Sequence, residues 1–214
     1  MARLILVRHG QTRSNVHGLL DTAAPGADLT PLGRKQAQGV IEVLAGERIE
    51  RIVASPLART VQTATPIAEE RGLTLDTHSG LREILAGDLE LASHRDAHLR
   101  YLHTVFSWAN GDLSAAMPGL PETGSGFFER YDDAVEAALD GVETALCVSH
   151  GAAIRTWAAS RGVNVDGRFG AEHGLPNTGV VILEQDGSGS WRVDAWTDER
   201  FPAPDSDPTG GAVP

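Results

Sequence analysis

Three short runs in this chain are apolar almost without interruption, "LILV" at 4–7, "RIVAS" at 51–55 and "TALCVS" at 144–149. Uninterrupted apolar runs bounded by polar residues are the pattern of strands buried on both faces. A fourth segment, "LTLDTH" at 73–78, alternates and predicts another strand. "GVVILEQ" and "SWRVDAW" flank "DGSG" and predict an antiparallel hairpin. Between these runs the period becomes helical. In "LTPLGRKQAQGVIEVLAG" Thr30 suits an N-cap and Pro31 the first helical position, with Leu32, Ala37, Val40, Ile41 and Leu44 as the apolar set. Further helices are predicted after Pro56 through "ARTVQTATPIAEERG", where Pro66 kinks or restarts the helix, in "FFERYDDAVEAAL", and over 152–161. Strands alternating with helices predict an α/β fold: a three-layer α/β/α sandwich, with a mainly parallel sheet and helices on both faces.

Sites in such sheets lie beyond the carboxyl ends of the strands. The first run ends in Arg8-His9-Gly10, the second in Ser55-Pro56 with Arg59 one turn further, and the third in His150-Gly151. Neighbouring strands would bring two arginines and two histidines to one edge of the sheet. Guanidinium forks pair with phosphoryl oxygens and stay charged at all relevant pH. The start of the helix after Ser55 is expected to add backbone N–H groups. Glycines after each histidine permit a sharp turn and a close ligand approach. Adjacent strand residues face opposite ways, so Arg8 and His9 share a site only if the pleat breaks there. A neutral imidazole is a competent nucleophile for phosphoryl transfer, and a second histidine can hydrogen-bond the transferring group. The leaving oxygen needs a proton, for which Glu83, Asp88 and Glu90 in "LREILAGDLE" are candidates.

Composition narrows the class. The formal net charge of −11 argues against a general nucleic-acid or anionic-membrane partner. No run approaches the ~18 apolar residues of a membrane span, and "MARLILV" is too short for a secretory signal. The single cysteine, Cys147, reads as a buried free thiol, and a cytoplasmic location is expected. His94 and His98 have the i, i+4 spacing of metal ligands but no evident third ligand, so neither metal nor cofactor is expected.

"LVRHGQT", "LTPLGRKQA", "VASPLARTVQTA", "LREI" and "VSHG", in this order, resemble the histidine phosphatase superfamily, also called the phosphoglycerate mutase-like family. The resemblance implies a phosphoglycerate mutase-like fold with His9 as the nucleophile that becomes phosphohistidine. It implies that Arg8, Arg59 and His150 complete the phosphate pocket and that Glu83 donates the proton, with Glu90 its nearest rival. Asn15 matches an asparagine near the phosphate, and Gln11 stands where many members have glutamate. Gln11 and Gly151 join Asn15 as expected substrate contacts.

The implied activity is metal-independent hydrolysis of a small phosphorylated metabolite. The alternatives are a phosphoglycerate mutase-type phosphotransferase and an inactive phosphate-binding module. The stretch after the first block, "RSNVHGLLDTAAPGAD", lacks the tryptophan of true mutases, which favours hydrolysis. Residues 1–200 are expected to form a single domain, with a cap-like specificity insertion at about 91–128. In it Leu99, Leu102, Val105, Phe106 and Ala109 form a packing stripe, while Tyr101, His103 and Trp108 are its exposed neighbours. Asn177 and Thr178 in "PNTG" suit a turn or the pocket. The tail from about Phe201 is expected to be disordered. A homodimer is left open.

Overall fold

The computed structural model describes residues 1–119, 122–197 and 199–201. The predicted runs are strands β1 (Arg3–Arg8), β2 (Arg51–Ala54), β3 (Leu75–Thr77) and β4 (Thr144–Ser149), and the hairpin is β5 (Val180–Gln185) and β6 (Trp191–Trp196). With a two-residue β7 (Glu199–Arg200), the sheet has the order β3-β2-β4-β1-β5-β6-β7. β3, β2, β4 and β1 run parallel. β5 to β7 continue from β1 in antiparallel fashion, so the sheet is mixed, and it is parallel where Arg8 and His150 emerge.

Each buried strand supplies both faces by alternation. Leu4 and Leu6 join a core with Tyr101, Phe127, Tyr131 and Trp157, from helices α4 (Arg95–Ala109), α5 (Gly124–Leu139) and α6 (Gly151–Arg161). Ile5 and Val7 join the opposite core, with Val40 and Ile67 from α2 (Pro31–Val43) and α3 (Ala58–Arg71). These are the three layers. The Thr30 side chain accepts from Gly33 N–H at 3.0 Å and caps α2 as predicted, but Leu32 is 50% exposed because the buried face runs through Gly33, Ala37 and Val40. α3 continues through Pro66 as one helix.

Of the expected stripe of α4, Leu102, Val105, Phe106 and Ala109 pack against the core. Leu99 is 53% exposed, whereas Tyr101 (3%) and Trp108 are buried. Ala97, Tyr101, Thr104, Val105 and Trp108 follow i, i+4, i+7, i+8, i+11 and bury the larger aromatic surface. Two short helices have no counterpart in the sequence reading, α1 (Arg13–Val16) and α7 (Gly167–Glu172). Phe201 belongs to the body, its ring 5.7 Å from that of Phe169; residues 202–214, where disorder is expected, lie outside the described residues.

Candidate active site

β1 delivers Arg8 and His9, and β4, its parallel neighbour, delivers His150. The His9 and His150 rings lie 5.3 Å apart at 62°. The strand pattern gives way after Arg8: His9 N–H donates to the Ser149 carbonyl, while Thr178 N–H reaches the carbonyls of both Arg8 and His9. Arg8 and His9 thereby line one cavity of about 400 Å³, together with Thr12, Asn15, Arg59 and Glu83. Gly10 is required here by close approach, since a Cβ would stand 2.6 Å from the Gly33 carbonyl oxygen of α2. Gly151 likewise leaves room for the Arg8 guanidinium, which a Cβ would meet at 3.1 Å.

Hydrogen bonds fix both imidazole tautomers. His9 Nδ1 lies 2.8 Å from the Gly10 carbonyl, which only accepts, so Nδ1 carries the hydrogen and Nε2 the lone pair. His150 Nδ1 accepts from Arg59 Nε at 3.3 Å, so its Nε2 donates to Ser55 Oγ at 2.8 Å. Burial, reinforced by Arg59 and Arg8, holds His9 well below the usual histidine pKa, and burial followed by Arg59 does the same to His150. Both rings are therefore neutral near pH 7. His150 sits behind Arg59 and His9 and does not line the cavity.

Arg59 is buried. Its Nη2 donates to the Asp21 carbonyl at 3.0 Å and its Nη1 lies 3.9 Å from the Asp21 carboxylate. Arg8 donates to the Leu175 carbonyl at 2.5 Å. Arg8 Nε and Arg59 Nη1 are buried donors without a hydrogen-bond partner among the described residues. Both guanidinium groups that line the cavity thus carry unspent donor capacity.

The acid candidates separate clearly. Glu83 lines the cavity and rests on the N-terminus of α6. Its Oε1 accepts from Ile84 and Ala153 N–H at 2.9 and 2.8 Å, and its Oε2 accepts from Ala152 N–H alone at 3.1 Å, so Oε2 has the spare capacity. Glu90 does not line the cavity. Its carboxylate accepts from Thr22 N–H, Ala23 N–H and Thr22 Oγ–H and pins the 21–23 loop. Asp88 is also outside the lining. The helix N-terminus at the site is that of α6, not the predicted one after Ser55, because Ala58 N–H of α3 is taken by the Pro25 carbonyl.

Asn15 lines the cavity, and so does Gly151. Gln11 does not. Its Oε1 accepts from Thr30 Oγ–H at 2.9 Å and its N–H donates to Gln36, which directs it to α2. Sequence reasoning passed over Asp21, which holds Arg59. It also passed over Arg130, whose guanidinium donates to the carbonyls of Gly80, Arg82 and Glu83 and so holds the acid loop. Arg155 lines the cavity as well, and its position four residues after Gly151 was the available signal. Among the described residues no group of three or more His, Cys, Asp or Glu is placed to hold a metal, so His94 and His98 form no such site. His94 instead caps α4, and His98 Nε2 contacts the Gly18 carbonyl.

The family model of the histidine phosphatase superfamily (branch 1) matches residues 4–199. The chain belongs to this family. A PE-PGRS family protein of Mycobacterium tuberculosis is 34% identical over 206 residues, 89% of this chain, and the match spans 35% of that longer protein. The adenosylcobalamin/alpha-ribazole phosphatase of Escherichia coli is 31% identical over 69% of this chain and 73% of its own. Among solved structures, a mycobacterial glucosyl-3-phosphoglycerate phosphatase complexed with VO3 superposes with a TM-score of 0.76 at 27% identity, covering 92% of this chain and 99% of that one. Among the described residues no helix is long and apolar enough to cross a membrane.

Proposed function

We propose that this chain hydrolyses phosphomonoesters of small metabolites through a phosphohistidine at His9. The observation that carries the reading is the His9 tautomer. Nδ1–H is tied to the Gly10 carbonyl, which leaves Nε2 unprotonated in a cavity lined by two arginines. The Nε2 lone pair attacks phosphorus, the P–N bond forms and the ester P–O bond breaks. The ring becomes cationic, and the Gly10 carbonyl supports it through Nδ1–H. Arg8 and Arg59 supply fixed charge to the equatorial oxygens as the transition state spreads charge over them. Glu83 gives its proton from Oε2 to the leaving alkoxide. In the second half-reaction the same oxygen takes a proton from the water that attacks phosphorus, and phosphate leaves His9. His150 is fully buried behind Arg59 and acts by holding that guanidinium.

The activities of the relatives, alpha-ribazole phosphatase and glucosyl-3-phosphoglycerate phosphatase, support a small phosphorylated metabolite as substrate. The two guanidinium groups take the place of a metal's charge, so turnover is expected to be metal-independent. The location proposed is the cytoplasm, with the buried Cys147 as a reduced thiol. The test is a panel of phosphomonoesters assayed for inorganic phosphate and for isomerised ester, with and without EDTA. One phosphate released per ester consumed, unaffected by chelator, is expected. Phosphate retained on a second hydroxyl would make the chain a mutase, and collapse with EDTA would overturn the metal-free route.

A further inference from the structure

From Gly80 to Ile84, every carbonyl of the loop that carries Glu83 is taken by a side chain from another element. Gly80 and Arg82 accept from Arg130 Nη1 at 2.6 and 2.9 Å, and Glu83 accepts from Arg130 Nη2 at 3.3 Å. Leu81 accepts from Ser149 Oγ–H at 2.8 Å, and Ile84 from Tyr101 Oη–H at 2.7 Å. Arg130 Nε donates to Glu122 Oε1 at 2.6 Å, and Glu122 Oε2 accepts from Leu85 N–H at 3.3 Å. One ion pair, Arg130 on α5 and Glu122 just before that helix, thus grips the loop on both sides of Glu83. Backbone approaches backbone here as well, since a Cβ on Gly80 would stand 2.1 Å from the Arg130 carbonyl oxygen.

Anchoring the loop does not by itself call for this pair. Leu81, Ile84 and Ala86 are fully buried and already tie the loop to the core that holds Tyr101 and Tyr131. What the pair adds lies at the Glu83–Ile84 peptide. The carbonyl of that peptide accepts from Arg130, and its N–H donates to Glu83 Oε1 at 2.9 Å. A charged donor on the carbonyl polarises the peptide and strengthens its N–H as a donor. The guanidinium, one peptide away, holds Oε1 as an acceptor and leaves Oε2 as the oxygen that carries the proton. Neither Arg130 nor Glu122 lines the cavity, so both act through Glu83.

We infer that Arg130, with Glu122, is a positioning residue for the proton transfer: it fixes the Glu83–Ile84 peptide so that Glu83 Oε2 faces the leaving oxygen. The inference rests on the phosphatase reading and adds the source of the acid's geometry. As the ester P–O bond breaks, the proton passes from Oε2 to the leaving alkoxide. Without Arg130 the peptide is free to turn, Oε1 loses its N–H partner, and the proton has no fixed oxygen.

The experiment measures kcat/KM, which reports the steps up to departure of the alcohol, on glycerol 3-phosphate and on p-nitrophenyl phosphate. The proteins are the wild type, Arg130→Met, Arg130→Lys, Glu122→Gln, Glu83→Gln and the double variant Arg130→Met/Glu83→Gln. A positioned general acid contributes roughly 10²–10⁴-fold, and Arg130→Met is expected to lose at least roughly tenfold of it on glycerol 3-phosphate and far less on p-nitrophenyl phosphate. Glu122→Gln, which keeps the shape of the side chain, should show the same selectivity to a smaller extent. Arg130→Lys should restore only part, because a point charge does not replace the fork. In the Glu83→Gln background, Arg130→Met should leave the ratio between the two esters unchanged, since residues that act in one step do not add. A loop that is merely loosened would slow both esters alike. Equal losses on the two esters, or a selective loss that adds to that of Glu83→Gln, overturn the role of Arg130. Should Arg130→Met fail to fold, the ratio in Glu122→Gln decides. A wild type that hydrolyses neither ester removes the phosphatase reading and the inference with it, whereas an active wild type whose ester ratio is unchanged in the Arg130 and Glu122 variants removes the inference alone.

Discussion

The Asn177 side-chain nitrogen donates to two acceptors, the His9 carbonyl and Asn15 Oδ1, each at 3.1 Å. The first acceptor is a carbonyl, so the Asn177 orientation is set. The Asn15 orientation is set independently, because its Oδ1 also accepts from Thr12 N–H at 3.0 Å. With its oxygen spent twice, Asn15 has only its NH2 to offer the cavity, as a donor to an anion. On the proposed reading Asn177 positions a phosphate donor, Asn15. Asn177→Ala is expected to lower kcat/KM on p-nitrophenyl phosphate roughly tenfold. Asn177→Asp, nearly isosteric but unable to donate, is expected to be worse. Equal activity in Asn177→Asp and the wild type would show that the bridge is idle.

The guanidinium pair is testable by charge and by shape. Arg8→Ala and Arg59→Ala are each expected to cost roughly 10²–10³ in kcat, the scale of a lost oxyanion donor. Lysine should restore only part, since a point charge does not reproduce the fork. Vanadate should inhibit the wild type competitively and the variants more weakly. Unchanged inhibition in both variants would place the anion elsewhere.

The roles proposed for Glu83 and Glu90 differ, and leaving-group dependence separates them. Glu83→Gln should lose far more rate on an alkyl phosphate than on p-nitrophenyl phosphate, whose phenolate departs without much help. Glu90→Gln should affect both substrates alike and lower Tm, because Glu90 pins the loop that carries Asp21. A leaving-group-selective loss in Glu90→Gln would transfer the acid role to Glu90.

Both buried histidines leave a signature in stability. Their folded pKa values lie well below the ordinary value of 6.5, with burial as the first cause. Below about pH 6.5 the unfolded chain binds two protons that the folded chain refuses. Stability is therefore fully present above pH 6.5 and falls as the pH drops, by about 1.4 kcal/mol per pH unit for each histidine once the unfolded form is protonated. Urea unfolding between pH 6.5 and 5.5, in phosphate-free buffer, should show this slope. His150→Gln should remove one proton's share. A flat profile in the wild type would mean that the histidines are protonated in the folded state.

Much of this molecule is legible in its sequence, for physical reasons. Strands such as "LILV" and "TALCVS" are buried on both faces, so they appear as unbroken apolar runs, and their ends mark where Arg8, His9 and His150 emerge. On α4 the apolar spacing marks Val105 and Phe106 correctly, but Leu99 is exposed and the aromatic Tyr101 and Trp108 take the buried face. Motif position alone points Gln11 at the site, while its bond to Thr30 depends on how α2 docks. Asp21, Arg130, Arg155 and Asn177 are ordinary polar residues in sequence. What they do is set by partners as distant as Asn177 is from His9, and only the fold brings those together.

The most direct test of the account is rapid acid-free quenching of the enzyme during turnover of a 32P-labelled phosphomonoester, followed by peptide mapping. The account predicts acid-labile, alkali-stable label on the peptide containing His9, formed and discharged fast enough to support turnover, and absent from His9→Ala, which keeps its fold and loses nearly all activity. Label on a serine, or turnover in His9→Ala at the wild-type rate, would contradict it.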